Sequence, residues 1–374
     1  MITRVEATDF RCLKSVSQAL RPFQVLVGPN SSGKSAFLDV IDFLADIVSF
    51  GLPGAVNERT ENFHDLVWGR TGKAFDLAIE ATDGSSEGRT IRYAVGIRLD
   101  AATDQLALEK EELLVGDRRV VSRASRRRVE MWEETGEGVY RFDLAANDLG
   151  LVNLPADRTK FPGAVWLREF LREGVQLVVL DNELLRGASP PGQGKPRVYD
   201  GLDLARTVFR VSNNSIEDFQ SWIRHIRTAL PDVETVHTVL RPEDRHRYLM
   251  VRFRNGVEVP SWMLSDGTLR LLALTLLAYI PDFNGIYLIE EPEVGLHPTA
   301  IESVMQSLSS IYSGQVLLTS HSPLLLSLPE PRDLLCFQRT DEGTEIIPGD
   351  RHPLLQDWRS GVSISELFAA GVLG

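Results

Sequence analysis

Residues Gly28 to Ser35 read Gly-Pro-Asn-Ser-Ser-Gly-Lys-Ser, a spacing suited to gripping the phosphates of a nucleoside triphosphate. Glycine near each end lets the backbone turn tightly, so successive N–H groups and the start of a following helix point at phosphate oxygens. Lys34 adds a cation for the β- and γ-phosphates, and the Ser35 hydroxyl is placed to hold Mg2+. Gly28, Pro29, Asn30, Ser31, Ser32, Gly33, Lys34, Ser35 and Ala36 together form the candidate cradle.

A second set of chemical groups lies in the last third of the chain. Ile286 to Ile289 are apolar and lead into Glu290, Glu291 and Pro292, as expected of a buried strand delivering acids to a nucleotide at its C-terminal end. Successive strand residues point to opposite sides, so Glu290 can approach the metal while Glu291 faces an attacking water as its general base. Gln315 to Thr319 form another apolar strand, followed by His321, whose ring can donate a hydrogen bond to the γ-phosphate. One helix, Thr299 to Tyr312, separates the two strands, and a β-α-β crossover sets them side by side. Lys34, Glu291 and His321 are therefore the catalytic candidates, and Ser35 and Glu290 the metal candidates. Ser265, Asp266 and Gly267 precede the apolar stretch Leu269 to Ile280. They place a hydroxyl, a flexible glycine and free N–H groups at a helix N-terminus, a second anion site, although the same residues also make an ordinary helix cap. Two such devices exceed what one nucleotide needs from one subunit, and the economical arrangement is a nucleotide held between two subunits.

The elements that must position these groups are visible around them. Phe23 to Val27 form the strand that the phosphate loop leaves, and Phe37, Val40, Ile41, Leu44 and Val48 recur at helical spacing after it. Gly51 to Gly54 break that helix. Ile2 to Phe10 alternate as a strand expected in the same nucleotide-binding lobe. An antiparallel meander follows: Phe75, Leu77 and Ile79 share one face, Ile91, Tyr93, Val95, Ile97 and Leu99 another, Asp83-Gly84 and Gly116-Asp117 supply turns, and Tyr140, Phe142 and Leu144 close the series. From Ala145 to Pro231 the pattern is mainly helical, and strands return at Val233 to Leu240 and Tyr248 to Phe253. The chain thus divides into a first lobe at 1–144, a mainly helical insertion at 145–235, a second lobe at 236–345 and a tail at 346–374.

A chain of 374 residues can bury a large core. No basic-then-apolar leader precedes Ile2, and the longest apolar run, Leu269 to Ile280, is too short to span a bilayer. Cys12 and Cys336 make neither a disulfide framework nor a metal cluster. A cytoplasmic protein without a membrane partner is expected. The net charge of -12 argues against general adhesion to nucleic acid. Arg118, Arg119, Arg123, Arg126, Arg127 and Arg128 still make a dense cationic stretch, which either tracks DNA phosphates or forms a hairpin face balanced by neighbouring glutamates.

In order, the chain carries a phosphate loop, a long interruption, Leu-Ser-Asp-Gly-Thr, an apolar strand with Glu-Glu-Pro-Glu, and Thr-Ser-His. That order resembles an ABC-type ATPase head. More narrowly, Asp9 to Ser15 (Asp-Phe-Arg-Cys-Leu-Lys-Ser) and Glu290 to Pro298 (Glu-Glu-Pro-Glu-Val-Gly-Leu-His-Pro) are similar to AAA-type ATPases related to the OLD (overcoming-lysogenization-defect), RecF and SMC group. The resemblance implies an α/β P-loop NTPase fold with a mixed sheet, an antiparallel β subdomain and a helical insertion, using ATP and Mg2+. It implies a homodimer in which Ser265 and Gly267 of one subunit cap the γ-phosphate held by Lys34 and Ser35 of the other, hydrolysis reopening the pair. Arg11 matches an early basic position that touches the nucleotide, and Val294 to His297 match a loop that crosses the interface. The chain departs from the ABC pattern in carrying Glu290 in place of aspartate, and Asp266 and Thr268 in place of glycine and glutamine.

The insertion lacks the long heptads of a chromosome-organising arm, which favours compact OLD-like and RecF-like relatives. About fifty residues follow His321, too few for the TOPRIM-class nuclease that OLD-type proteins often carry, so any nuclease is expected to be another protein. The resemblance therefore implies an ATP-hydrolysing dimeric switch in DNA repair or anti-phage defence, gating a separate nuclease or toxin effector. A transporter ATPase subunit and a non-catalytic ATP-dependent scaffold are the alternatives.

Overall fold

A strand covered on both faces needs apolar side chains on both, and the strands around the phosphate loop have them. The computed structural model describes residues 1–84, 88–100, 103, 105–192 and 198–355. Strands β1 (Ile2–Phe10), β2 (Leu13–Ala19) and β3 (Phe23–Val27) precede helix α1 (Lys34–Asn57). Then come β4 (Ala74–Thr82), β5 (Thr90–Asp100), β6 (Gln105–Val115), β7 (Arg118–Arg123), β8 (Arg128–Trp132) and β9 (Val139–Asp143). The next stretch contains α2 (Gly150–Asn153), α3 (Pro162–Glu169), β10 (Val175–Val178), α4 (Asn182–Arg186), β11 (Val198–Tyr199), α5 (Leu204–Asn214) and α6 (Ile216–Ala229). Strands β12 (Val233–Leu240), β13 (Arg247–Phe253) and β14 (Glu258–Pro260) lead to α7 (Asp266–Leu276), β15 (Ile286–Glu290), α8 (Pro298–Ser309), β16 (Gln315–Thr319), α9 (Pro323–Leu326), β17 (Leu334–Thr340) and β18 (Gly343–Pro348).

These strands make three sheets. The central one runs β11-β10-β15-β16-β3-β17-β18 and is parallel except for β18, which pairs antiparallel with β17. An antiparallel sheet runs β2-β1-β4-β5-β6-β7-β8-β9, and β12, β13 and β14 form a small third sheet. The central strands alternate between two cores. Leu26, Ile286, Leu288 and Leu317 face one built with α1 and the antiparallel sheet; Val25, Val27, Tyr287, Ile289, Val316 and Leu318 face the other, with α5 to α8.

The structure adds to the expected organisation in three places. β1 belongs to the antiparallel sheet rather than to the sheet of β3, its alternation of buried and partly exposed residues fitting a sheet packed on one side. The stretch expected to be a mainly helical insertion contributes β10 and β11 to the central sheet, with β10 lying directly beside β15. Gly51 kinks α1 at φ 76° instead of ending it, and the helix resumes through Pro53 to Asn57. Arg59 then folds back on α1, bonding Asp39, Asp42 and Asp46 at 2.6, 2.6 and 2.7 Å. These acids sit at helical spacing on one face, so a single guanidinium ties the bent end to the shaft.

The arginine stretch resolves mostly into internal ties. Arg118 bonds the carbonyls of Glu134 and Gly136, Arg119 pairs with Glu112 at 3.2 Å, and Arg126 pairs with Asp100. Arg123 is buried 3.7 Å from Glu111, whose carboxylate also accepts from the N–H groups of Gly150 and Leu151 and from the Tyr93 hydroxyl. Of that stretch, only the side chains of Arg127 and Arg128 have neither an ion pair nor a hydrogen bond to a carbonyl among the described residues.

Candidate functional site

The phosphate loop joins β3 to α1 and is pressed against β17 and β18, which explains its glycines. A Cβ on Gly28 (φ 147°) would sit 2.3 Å from the Phe337 carbonyl oxygen, and one on Gly33 (φ 104°) 2.6 Å from the Thr344 hydroxyl. Both positions therefore reject a side chain on steric and conformational grounds. The Thr344 hydroxyl donates to the Ser32 carbonyl at 2.9 Å and lies 3.3 Å from the carbonyl of Cys12, so β18 clips the loop to the end of β1. Lys34 bends back over the loop, donating to the carbonyls of Gly28 at 2.9 Å and Pro29 at 2.8 Å.

Beside the loop lies a cleft of about 290 Å³ walled by Cys12, Asn30 to Ala36, Glu291, Thr319 and His321. Its far wall comes from the ends of β15 and β16. Glu290 pairs with Thr319 as the last residue of β15 and is exposed. Glu291 then adopts the left-handed conformation, φ 46°, and its N–H bonds the Thr319 carbonyl at 3.1 Å. This turn, more than strand alternation, separates the two acids: Glu291 enters the cleft wall and Glu290 does not. A strained non-glycine residue at a strand end is common where function over-determines the backbone.

His321 Nε2 lies 3.5 Å from the Glu291 carboxylate. Burial and the Lys34 charge hold the ring below the usual histidine range against the pull of Glu291 and Glu293, so it is neutral at pH 7 and keeps one donor and one acceptor. Glu293 holds the turn that carries it. One carboxylate oxygen accepts from the Ser320 hydroxyl at 2.5 Å and from the N–H groups of His321 at 3.1 Å and Ser322 at 3.2 Å.

The other candidates lie elsewhere. Ser265 caps α7, accepting from the Thr268 N–H at 3.2 Å, Asp266 pairs with Arg186, and a Cβ on Gly267 would stand 2.9 Å from the Gly295 carbonyl. None of the three walls the cleft. Arg11 also lies outside it, 2.8 Å from Asp39 on α1, while its neighbour Cys12 lines it. Sequence reading assigned no role to Glu293, Thr344, Cys12 or Thr319. Glu293 was visible as part of Glu-Glu-Pro-Glu, but nothing in sequence links Thr344 to a loop some 310 residues earlier.

A magnesium–nucleotide fits these residues on three counts. The Ser32 hydroxyl is fully buried without a hydrogen-bond partner among the described residues, the two glycines keep the cradle free of side chains, and among the described residues Lys34 donates its hydrogen bonds to backbone carbonyls and has no carboxylate in ion-pair contact. The described residues contain no cluster of three or more His, Cys, Asp or Glu that could hold a metal by itself.

Lys34 also sets a pH limit. Burial lowers its pKa to about 8, with Glu291 and Glu290 resisting the shift. An ordinary lysine stays charged to above pH 10, so here the cation is present at pH 7 and lost as pH rises through 8. ADP affinity is expected to fall by up to ten-fold per unit between about pH 8 and 9.5, because binding must then restore the proton. The Lys34→Arg variant should be flat over that range, and calorimetric titration of both proteins with ADP checks it.

Comparison with known proteins gives the family and the fold. A family model described as "AAA domain, putative AbiEii toxin, Type IV TA system" matches residues 23–327, from β3 to the end of α9. The Old nuclease of Escherichia phage P2 is 22% identical over 376 aligned residues, covering 92% of this chain. The chain spans 60% of the length of that curated relative. An SMC head solved with the C-winged helix domain of ScpA superposes with a TM-score of 0.58 at 14% identity, covering 92% of this chain and 96% of that one. A second SMC head, with an extended coiled coil and bound to the C-terminal domain of ScpA derived from Pyrococcus furiosus, gives 0.58 at 13% identity over 96% and 99% of the two chains. The fold is that of an SMC-head-like P-loop ATPase.

Proposed function

This chain belongs to that AAA-domain family of P-loop ATPases, and from that premise we propose that it is an ATP-hydrolysing switch whose working form is a homodimer. The observation that carries the reading is a division of groups. Lys34, Glu291 and His321 converge on one cleft, whereas Ser265 and Gly267 stand outside it, at the start of α7 and against the loop of Gly295. Trp262, Met263 and Val294 are 54%, 70% and 52% exposed beside that cap, an apolar surface suited to a second copy. Each triphosphate is then gripped by the cradle of one subunit and capped by Ser265 and Gly267 of the other.

In this reading the loop N–H groups and Lys34 bind the phosphates, and Ser35, with Glu290 at the strand end just outside the cleft wall, would hold Mg2+, which would supply charge neutralisation when bound. Glu291 orients the attacking water and takes its proton. His321 donates to the γ-phosphate from a ring kept neutral and fixed through Glu293. Arg11 acts on the nucleotide through the Asp39 contact to α1 rather than directly.

The switch gates a separate nuclease or toxin effector in anti-phage defence or DNA repair, in the cytoplasm. Support comes from the toxin–antitoxin description of the family and the phage nuclease among its relatives. With most of the arginine stretch internally paired, DNA contact is left to Arg127, Arg128 or the effector. No helix among the described residues is long and apolar enough to cross a membrane.

Ser265→Arg tests the composite pocket. A bulky cation at the cap should abolish ATP-dependent dimers in light scattering and lower phosphate release at least ten-fold, with ATP binding to the cradle unchanged. Undiminished turnover by this variant, or wild-type turnover independent of dilution, rules out the shared site.

A further inference from the structure

A second cavity, of about 580 Å³, lies between α5 and the β11 edge of the central sheet, and among the described residues shares no wall residue with the phosphate-loop cleft. Tyr287, near the start of β15, lines it, whereas Glu291 lies beyond the other end of that strand. Its volume falls within the range of small-molecule sites.

Two of its walls carry unmet hydrogen-bonding capacity. Tyr199 and Tyr287 are 4% and 0% exposed, and neither hydroxyl has a hydrogen-bond partner among the described residues. Buried phenols without partners are rare, since each gives up its water and receives nothing in return. Both feel the charge of Arg210 on α5, while burial keeps them protonated and able to donate. Arg210 itself has no ion-pair partner among the described residues and also lines the cavity.

The wall chemistry narrows the ligand. Phenol hydroxyls and the side-chain amides of Gln176 and Asn213 can each donate and accept, which matches the edge of a heteroaromatic ring bearing both kinds of group. Phe283 and Tyr287 stack at 3.9 Å and 12°, giving a flat aromatic wall. Two arginines face three carboxylates around the cavity, a balance that selects neither a polyphosphate nor a cation. We propose that this cavity binds an uncharged nucleoside, its base hydrogen-bonded by Tyr199 and Tyr287.

The test titrates adenosine, guanosine, cytidine and uridine separately into the full chain by calorimetry, with saturating magnesium AMP-PNP present so that the phosphate loop is occupied. At least one nucleoside should bind. Tyr199→Phe and Tyr287→Phe should each weaken it several-fold, and the double variant about ten-fold or more. Because the hydroxyls lack partners, the unliganded variants should melt no lower than the wild type, which separates lost binding from lost folding. Should either variant misfold, Asn213→Ala on α5 takes its place and must also weaken binding. No binding of any of the four at millimolar concentration, the outcome for a cavity that holds water only, overturns the proposal, as does equal affinity in wild type and variants.

Discussion

Replacing Glu291 by glutamine is expected to lower steady-state phosphate release by about 10²-fold or more while leaving nucleotide binding intact. The amide keeps the size of the carboxylate and its place 3.5 Å from His321, but it cannot take a proton from water. The left-handed turn at Glu291 is made by backbone, its N–H bonded to the Thr319 carbonyl, so the substitution leaves the path of the chain alone. Lys34 loses one of the two acids that favour its charge. This loss shifts its titration further down, so binding is compared in mildly acidic buffer, where the cation is kept. Binding and hydrolysis should therefore separate: ATP is taken up, dimers form and stay closed, and phosphate appears slowly. Rapid-quench measurement of one turnover, with light scattering on the same sample, reads both. If turnover persists at the wild-type rate, the base lies elsewhere; if the wild type itself shows no turnover and behaves as the variant does, the chain is an ATP-dependent scaffold.

The second large effect is expected at Glu293, which touches no substrate in this reading and acts as a positioning residue. Its removal in Glu293→Ala leaves the Ser320 hydroxyl proton and the His321 N–H without their acceptor, while the Ser322 N–H keeps its bond to the Ser320 oxygen. Unsatisfied buried groups cost roughly 1–3 kcal/mol each, and relaxation of the turn recovers part of that. A loss of about 2–4 kcal/mol in stability is expected, with kcat down ten-fold or more because His321 and Glu291 no longer hold their relative places. ADP affinity should stay near wild type, since the cradle is built from other elements. Glu293→Gln, whose amide oxygen can still accept, should restore most of the stability and part of kcat. A purely structural role would lower stability in both variants while leaving the kcat of the folded fraction unchanged, so the split between stability and kcat decides the assignment.

Much of this site could be read in the residues because its chemistry is local. Gly28 to Ser35 form a continuous loop between a strand and a helix, and their spacing alone states what they grip. The apolar runs 286–289 and 315–319 announce buried strands, and the helix between them sets them side by side. What stayed hidden depends on distant chain. Val175 to Val178 are only four residues long, and only their packing beside β15 identifies them as a strand; three apolar residues and a glutamine amid helical periodicity carry no such sign. The left-handed conformation of Glu291 leaves no mark in a glutamate. Thr344 and Cys12 enter the site because β18 and the end of β1 converge on the loop. The arginine stretch left two readings open, a surface for phosphates or a hairpin face balanced by glutamates, because spacing shows charge but not partners, and Glu111 reaches Arg123 only once β6 and β7 are paired.

The pairing of β3 with β16 also governs how the protein can be made. Phe23 meets Val316 across the central sheet, so about 290 residues must leave the ribosome before that partner exists, roughly 15–60 s at ordinary synthesis rates. Meanwhile β1, β2 and β4 to β9 can assemble from their own near neighbours. The nascent phosphate loop waits on a half-built scaffold with an apolar edge open, the stage at which a chaperone has the most to do.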